Sequence, residues 1–231
     1  KWVLKMISNK ISFLVNSILY PIGCVITKSL LYLDRKRNLI NYGDYFRSSS
    51  LELISREIYE RNIPGDVAEL GVYRGDFASM INIYFPDRKL YLFDTFEGFS
   101  EEDSLIERKK KFSNADQDFS DVSIEKVLKK MKHKENIVLI KGRFPDSLCQ
   151  IKNPEELIFS FVSLDVDLYQ PTKSGLEYFY PRLVKGGFIF IHDYNNKYYK
   201  GVKEAVREFC KTNEINFFPL SDSSGTAIII K

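Results

Sequence analysis

Two apolar runs that end in acids constrain this chain more than any other feature: Phe161-Val162-Ser163-Leu164-Asp165-Val166-Asp167 and Gly187-Phe188-Ile189-Phe190-Ile191-His192-Asp193. Runs so rich in β-branched and aromatic residues belong in the middle of a parallel sheet, covered on both faces, where a bare carboxylate is costly. Acids at their carboxyl ends therefore mark a site. In open α/β sheets ligands bind in the crevice outside those ends, so Asp165, Asp167, His192 and Asp193 are expected to converge on one spot suited to a divalent metal. If the first strand stays regular through Asp167, alternation puts Asp165 and Asp167 on one face of it.

From about residue 50 onward strands alternate with helical stretches, the pattern of a parallel sheet with helices on both faces. Ser50 to Arg61 is predicted as a helix opened by a serine cap and stopped near Pro64-Gly65. Asp66 to Gly71, Lys89 to Asp94 and Asn136 to Gly142 follow as strands, then the two acid-ended runs. Ile215–Leu220 and Thr226–Lys231 are predicted to form a closing hairpin, the last strand antiparallel to the others. Between the second and third strands, Glu97 to Glu135 is rich in charge. Val122 to Met131 reads as a helix; the part before it, with Arg108-Lys109-Lys110-Lys111, reads as a solvated face or a lid.

At 231 residues and 44% hydrophobic content, the chain is sized for one α/β domain and a short extra element. Its 34 basic and 31 acidic residues, a net charge of +3, are too balanced to indicate nucleic-acid binding. Cys24, Cys149 and Cys210 are odd in number and widely spaced, which suggests neither a disulfide framework nor a zinc site and fits a reducing cytoplasm. His133 sits in a basic turn, leaving His192 as the histidine of interest.

Residues 1–40 differ in character, with apolar stretches broken at Pro21 and Gly23 and basic residues throughout. The stretches fall short of the ~20 residues that cross a bilayer. An amino-terminal helical extension is expected there, covering the domain or a second copy of the chain in a homo-oligomer, with residues 41–231 forming the main domain. Contact with an anionic membrane is the less favoured alternative.

Glu69-Leu70-Gly71-Val72-Tyr73-Arg74-Gly75 follows a strand and opens a helix, where glycines let the backbone approach a ligand or simply make a tight turn. It lacks the Gly-x-Gly-x-x-Gly of dinucleotide binders, which disfavours a nicotinamide dehydrogenase. Asp94, ~20 residues further on, is placed to accept ribose hydroxyls or to cap the turn before Thr95-Phe96. Glu69 and Asp94 in that order resemble the nucleoside-binding half of class I S-adenosylmethionine-dependent methyltransferases.

The resemblance narrows with Asp94-Thr95-Phe96-Glu97-Gly98-Phe99, Lys141-Gly142-Arg143-Phe144-Pro145-Asp146-Ser147-Leu148, Leu164-Asp165-Val166-Asp167-Leu168-Tyr169-Gln170-Pro171-Thr172, Tyr180-Pro181-Arg182-Leu183-Val184-Lys185-Gly186-Gly187 and His192-Asp193-Tyr194. These segments are similar to the signatures of the macrocin O-methyltransferase family, over about residues 40–215. The resemblance implies a Rossmann-like class I fold, with a seven-stranded, mostly parallel sheet, an antiparallel last strand and helices on both faces. It implies methyl transfer to a sugar hydroxyl of a glycoside, polysaccharide precursor or nucleotide sugar. Carried over residue by residue, Asp165, His192 and Asp193 hold the metal, magnesium in the family, and Asp167 is the general base. His192 departs from the family's usual carboxylate, and imidazole favours softer ions than magnesium. The donor contacts implied are Glu69, Gly71, Tyr73, Gly75, Asp94, Thr95, Gly142, Phe144 and Asp165, with Gly142 and Phe144 beside the adenine and Tyr73 or Arg74 at the methionine carboxylate. Tyr169, Tyr194, Tyr198 and Tyr199 are candidate platforms for a sugar face. The rival readings are a phenol or catechol acceptor, and a cofactor-binding partner protein without catalysis.

Overall fold

The computed structural model describes residues 14–19, 21 and 44–231. The chain divides into two units, Lys1–Asn38 and Leu39–Lys231. Of the first, a short helix covers residues 14–19; the rest of the expected helical extension lies outside the described residues. No helix among the described residues is long and apolar enough to cross a membrane.

In the second unit the elements run α1 (Tyr45–Glu60), β1 (Asp66–Leu70), α2 (Asp76–Tyr84), β2 (Leu90–Asp94), α3 (Glu101–Lys109), α4 (Ile124–Lys130), β3 (Ile137–Lys141), β4 (Phe159–Leu164), α5 (Tyr169–Arg182), β5 (Leu183–Ile191), α6 (Lys200–Thr212), β6 (Phe217–Pro219) and β7 (Ala227–Ile230). The seven strands form one sheet in the order β3-β2-β1-β4-β5-β7-β6. All are parallel except β7, which enters antiparallel between β5 and β6. The expected hairpin, reversed strand and fold class are all present. Strand order reverses between β1 and β4, which opens a crevice at their carboxyl ends.

The structure moves several boundaries. Helix α1 begins at Tyr45 rather than Ser50, because Asp44 takes the cap position and its side chain accepts the Arg47 N–H at 3.1 Å. Arg47 is thereby drawn into the helix. Strands β4 and β5 stop at Leu164 and Ile191, so all four site residues lie in the loops beyond them. Asp165 and Asp167 therefore meet through loop geometry, not strand alternation, and Asp167 has φ of 60°. The charged stretch after β2 holds α3, capped by Ser100 and carrying acids in its first turn and Arg108 and Lys109 in its last, which suits the helix dipole.

Two apolar clusters cover the faces of the sheet. Phe159 joins one, with Phe93, Phe144 and Phe179, while Phe161 joins the other, with Leu51, Phe85 and Phe190. Two residues apart, they should share a face. The register shifts between them against both neighbours: against β1, Ser160 is the extra residue that turns β4 over, whereas against β5 the additional residues lie in β5, between Leu183 and Phe188. That shift sets which side chains of β4 face the crevice.

Candidate active site

The glycine turn after β1 is shaped first by packing. Gly71, at φ of 87°, lies so near the start of the β4 loop that a Cβ there would sit 1.9 Å from the Asp165 carbonyl oxygen. Gly75, at φ of 76°, opens α2, and a Cβ would meet Val127 of α4 at 2.8 Å. Gly71 borders the cavity; Gly75 does not. Gly75, expected to touch the donor, also admits α4 against α2.

Asp94 ends β2 and binds the turn rather than standing free. One carboxylate oxygen accepts the Val72 and Tyr73 N–H groups at 2.6 and 2.8 Å, and the other accepts Phe96 N–H at 2.6 Å. Of about four acceptor sites on a carboxylate, one remains for a ribose hydroxyl. Thr95 donates its hydroxyl to the Gly98 carbonyl at 2.6 Å. Glu69 is buried to 1% exposure, with one oxygen unpartnered. Burial raises its pKa well above the usual carboxylate range; Arg47 opposes this, while Asp165 and Asp94 add to it.

Beyond β4 and β5 the acids assemble around a residue that sequence patterns miss. Arg47 is 6% exposed and pairs through Nη1 with Asp165 Oδ2 at 2.9 Å. Its Nη2 donates to Ser163 Oγ at 3.1 Å, and its guanidinium lies 3.8 Å from the centroid of Phe77. On the other side, His192 Nδ1 lies 2.9 Å from Asp165 Oδ1 and 2.8 Å from Asp193 Oδ2. Asp193 also accepts from Asn196 Nδ2 at 2.7 Å. Burial pushes the Asp165 carboxyl up, but the charges of His192 and Arg47 outweigh it and hold the carboxyl below its usual range. Burial lowers His192, yet the Asp165 charge wins and carries the imidazole to about 10. Asp167 is raised well above the ordinary value by burial, then by the charges of Asp193 and Asp165, and it is hydrogen-bonded to Asp193. Asp167 and Asp193 hold left-handed backbone conformations, φ 60° and 59°, uncommon for residues with a side chain and concentrated at functional sites.

One cavity of about 440 Å³ joins the two halves. Glu69, Gly71, Tyr73, Asp94, Thr95, Gly142, Phe144, Asp165, Asp167, His192 and Asp193 all border it. Phe144 is only 4% exposed and stacks on Phe179 with centroids 5.7 Å apart, so most of its ring belongs to the core. The segment after β2 covers the cavity with an aromatic chain from Tyr73 to Phe119 to Phe99 to Tyr199, centroids 5.1, 5.1 and 6.1 Å apart. Tyr73 gives its hydroxyl to Asp121 of that segment, and Arg74 pairs with the same carboxylate. Of the four candidate tyrosine platforms only Tyr199 borders the cavity, its hydroxyl 2.7 Å from Gln117 Oε1. Tyr169 is buried and bonded to Glu208, Tyr194 packs on Phe217, and Tyr198 is exposed.

A sheet of this order, a glycine turn after β1, an acid ending β2 and an acid cluster across the switch point define a class I S-adenosylmethionine-dependent O-methyltransferase. The chain belongs to the macrocin-O-methyltransferase (TylF) family, whose model matches residues 44–229. A relative from Streptomyces olivaceus, 8-demethyl-8-(2,3-dimethoxy-alpha-L-rhamnosyl)-tetracenomycin-C 4'-O-methyltransferase, is 25% identical over 194 residues, 79% of this chain and 71% of that protein. Demethyldecarbamoylnovobiocin O-methyltransferase from Streptomyces niveus is 25% identical over 64% of this chain and 60% of its own length. The solved O-methyltransferase NovP superposes with a TM-score of 0.68 at 22% identity, covering 81% of this chain and 80% of that one.

Proposed function

We propose that this enzyme moves the methyl group of S-adenosylmethionine to a sugar hydroxyl, with Asp167 as proton acceptor and a divalent cation as the assisting group. The observation that carries the reading is the meeting, in one cavity, of the glycine-turn half and the acid cluster. The rhamnosyl and novobiocin names of the two relatives support the acceptor class.

On the donor side, the unpartnered buried oxygen of Glu69 is suited to the methionine amine, which brings the positive charge that the site leaves uncompensated. Gly142 and Phe144 border the adenine, and the free acceptor site of Asp94 takes one ribose hydroxyl. Asp165 lies where the sulfonium end of the donor meets the acceptor.

The acid cluster fits a divalent cation. Asp165, His192 and Asp193 each offer one ligand atom, all within 4.8 Å of one another. Arg47 occupies the second oxygen of Asp165 and leaves the first facing His192. With one imidazole among the donors, zinc, nickel, iron or manganese-like ions match better than magnesium. Such an ion, when bound, lowers the pKa of a hydroxyl on it and fixes its orientation. Asp167 then serves as the base: its raised pKa makes it a better proton acceptor near neutral pH than an ordinary carboxylate. Direct in-line transfer needs no covalent intermediate, so holding the hydroxyl oxygen against the methyl carbon supplies much of the rate.

Release of S-adenosylhomocysteine is to be measured with rhamnosyl glycosides, nucleotide-linked deoxysugars and catechols, with and without chelator. Turnover on a sugar, lost on chelation and restored by a divalent cation, is the expected outcome. Turnover confined to catechols would overturn the acceptor class, and indifference to chelator would remove the cation.

A further inference from the structure

Helices α5 and α6 begin directly after the two acid-bearing loops, α5 after Asp165–Leu168 and α6 after His192–Tyr199. Their cap residues are Leu168 and Tyr199, and neither makes a side-chain capping bond. Both helices thus begin without the oxygen acceptor that a Ser, Thr, Asp or Asn would supply.

The missing acceptor comes from a third element. Glu107, in α3 of the covering segment, is 0% exposed. Its Oε2 accepts the Tyr169 N–H, the first residue of α5, at 2.9 Å. The same carboxylate accepts the Ser113 hydroxyl at 3.1 Å and lies against Gly201, in the first turn of α6, whose N–H opposes the rise in pKa that burial causes. These groups are neutral, so the buried carboxylate is met by two helix amino termini and their dipoles. Gly201 makes this possible: a Cβ there would lie 2.6 and 2.7 Å from the two carboxylate oxygens. A glycine, otherwise a poor helix residue, is what lets one carboxylate reach both helices.

We propose that Glu107 is a positioning residue: a shared cap that sets the spacing of the two acid loops and ties the assembled acid cluster to the docked covering segment. It touches neither donor nor acceptor. Its effect reaches the reaction through Asp167 and Asp193, which sit two and seven residues before the helix starts at Tyr169 and Lys200. The role in turnover rests on the function proposed above; the spacing of the loops does not.

The test uses the full chain as Glu107→Gln, Glu107→Ala and Gly201→Ala, read by amide hydrogen exchange with mass spectrometry, S-adenosylhomocysteine calorimetry and steady-state kinetics. Exchange is expected to rise about tenfold in both loops together in Glu107→Ala and in Gly201→Ala, and less in Glu107→Gln, which keeps an acceptor oxygen. Calorimetric affinity should stay within about threefold, because the donor half is held by Asp94 instead. With an acceptor from the sugar panel, kcat should fall about tenfold or more at a nearly unchanged donor KM, a split that a general loss of folded protein does not produce. Exchange rising in one loop alone, or in both with kcat unchanged, would overturn the proposal. The exchange arm needs no acceptor, so it decides the shared cap even if the sugar panel is silent. Should Glu107→Ala fail to fold, Glu107→Gln and Gly201→Ala carry the same comparison.

Discussion

The two halves of the crevice hold their acids in opposite ways. At the donor half, Asp94 is held by three backbone N–H groups, two from the glycine turn 22 and 21 residues before it and one from Phe96 two residues after it. At the acid half, Asp165, Asp167 and Asp193 are held by side chains, with Arg47 arriving from 118 residues away in sequence. Backbone amides satisfy a carboxylate whatever side chains surround it, so the donor half is a rigid receptor. Side-chain pairs in a buried cluster push the pKa values of neighbouring carboxyls apart, with Asp165 lowered and Asp167 raised. That separation is what acid–base chemistry needs. On the proposed function, one half binds the donor and the other moves the proton.

The largest effect that tests this division is at Asp167. Asp167→Asn keeps the shape of the side chain and removes its basicity, so turnover should fall by about 10²–10⁴. Calorimetric affinity for S-adenosylhomocysteine should remain within about threefold, because the donor half makes no use of that carboxylate. Full turnover in Asp167→Asn would dissolve the contrast between the halves.

Asp94→Asn attacks the other side. The amide replaces one of two acceptor oxygens by a donor that faces backbone N–H groups, which orphans at least one of them at about 1–3 kcal/mol. The expected outcome is a lower melting temperature and donor affinity weakened about tenfold, with kcat at saturating donor reduced less than in Asp167→Asn. If kcat collapses while donor binding holds, the halves are coupled more tightly than their bonding suggests.

The same contrast explains what could be read from the sequence. The strands, their order of appearance and the reversed last strand follow from local apolar runs, and the glycine turn with Asp94 is a local motif. The four acid-loop residues were legible because they sit at strand ends. Their geometry was not: β4 stops at Leu164, and Asp167 reaches its place through a left-handed turn that alternation does not foresee. Arg47 was invisible because the helix start was assigned to Ser50, five residues past Tyr45, and nothing local links it to Asp165. An Asp three residues before it, placed to cap a helix, is the signal that moves the helix start and brings Arg47 into the fold. The packing role of Gly75 was likewise not legible: its neighbour Val127 lies in a helix that the turn motif does not contain.

Arg74 offers the smallest effect and the finest test of the contrast. Its guanidinium pairs with Asp121, and both side chains are more than half exposed, 53% and 55%. An exposed pair of this kind contributes little to stability because water and salt screen it and two long side chains must be ordered to form it. Arg74→Ala should therefore leave the melting temperature unchanged and shift donor affinity by no more than about threefold. A larger loss of donor affinity, with stability intact, would mean that the guanidinium leaves Asp121 for the methionine carboxylate when the donor binds. The donor half would then recruit a side-chain charge of its own, and its distinction from the acid half would lie in which charges are mobile rather than in whether side chains or backbone hold the acids.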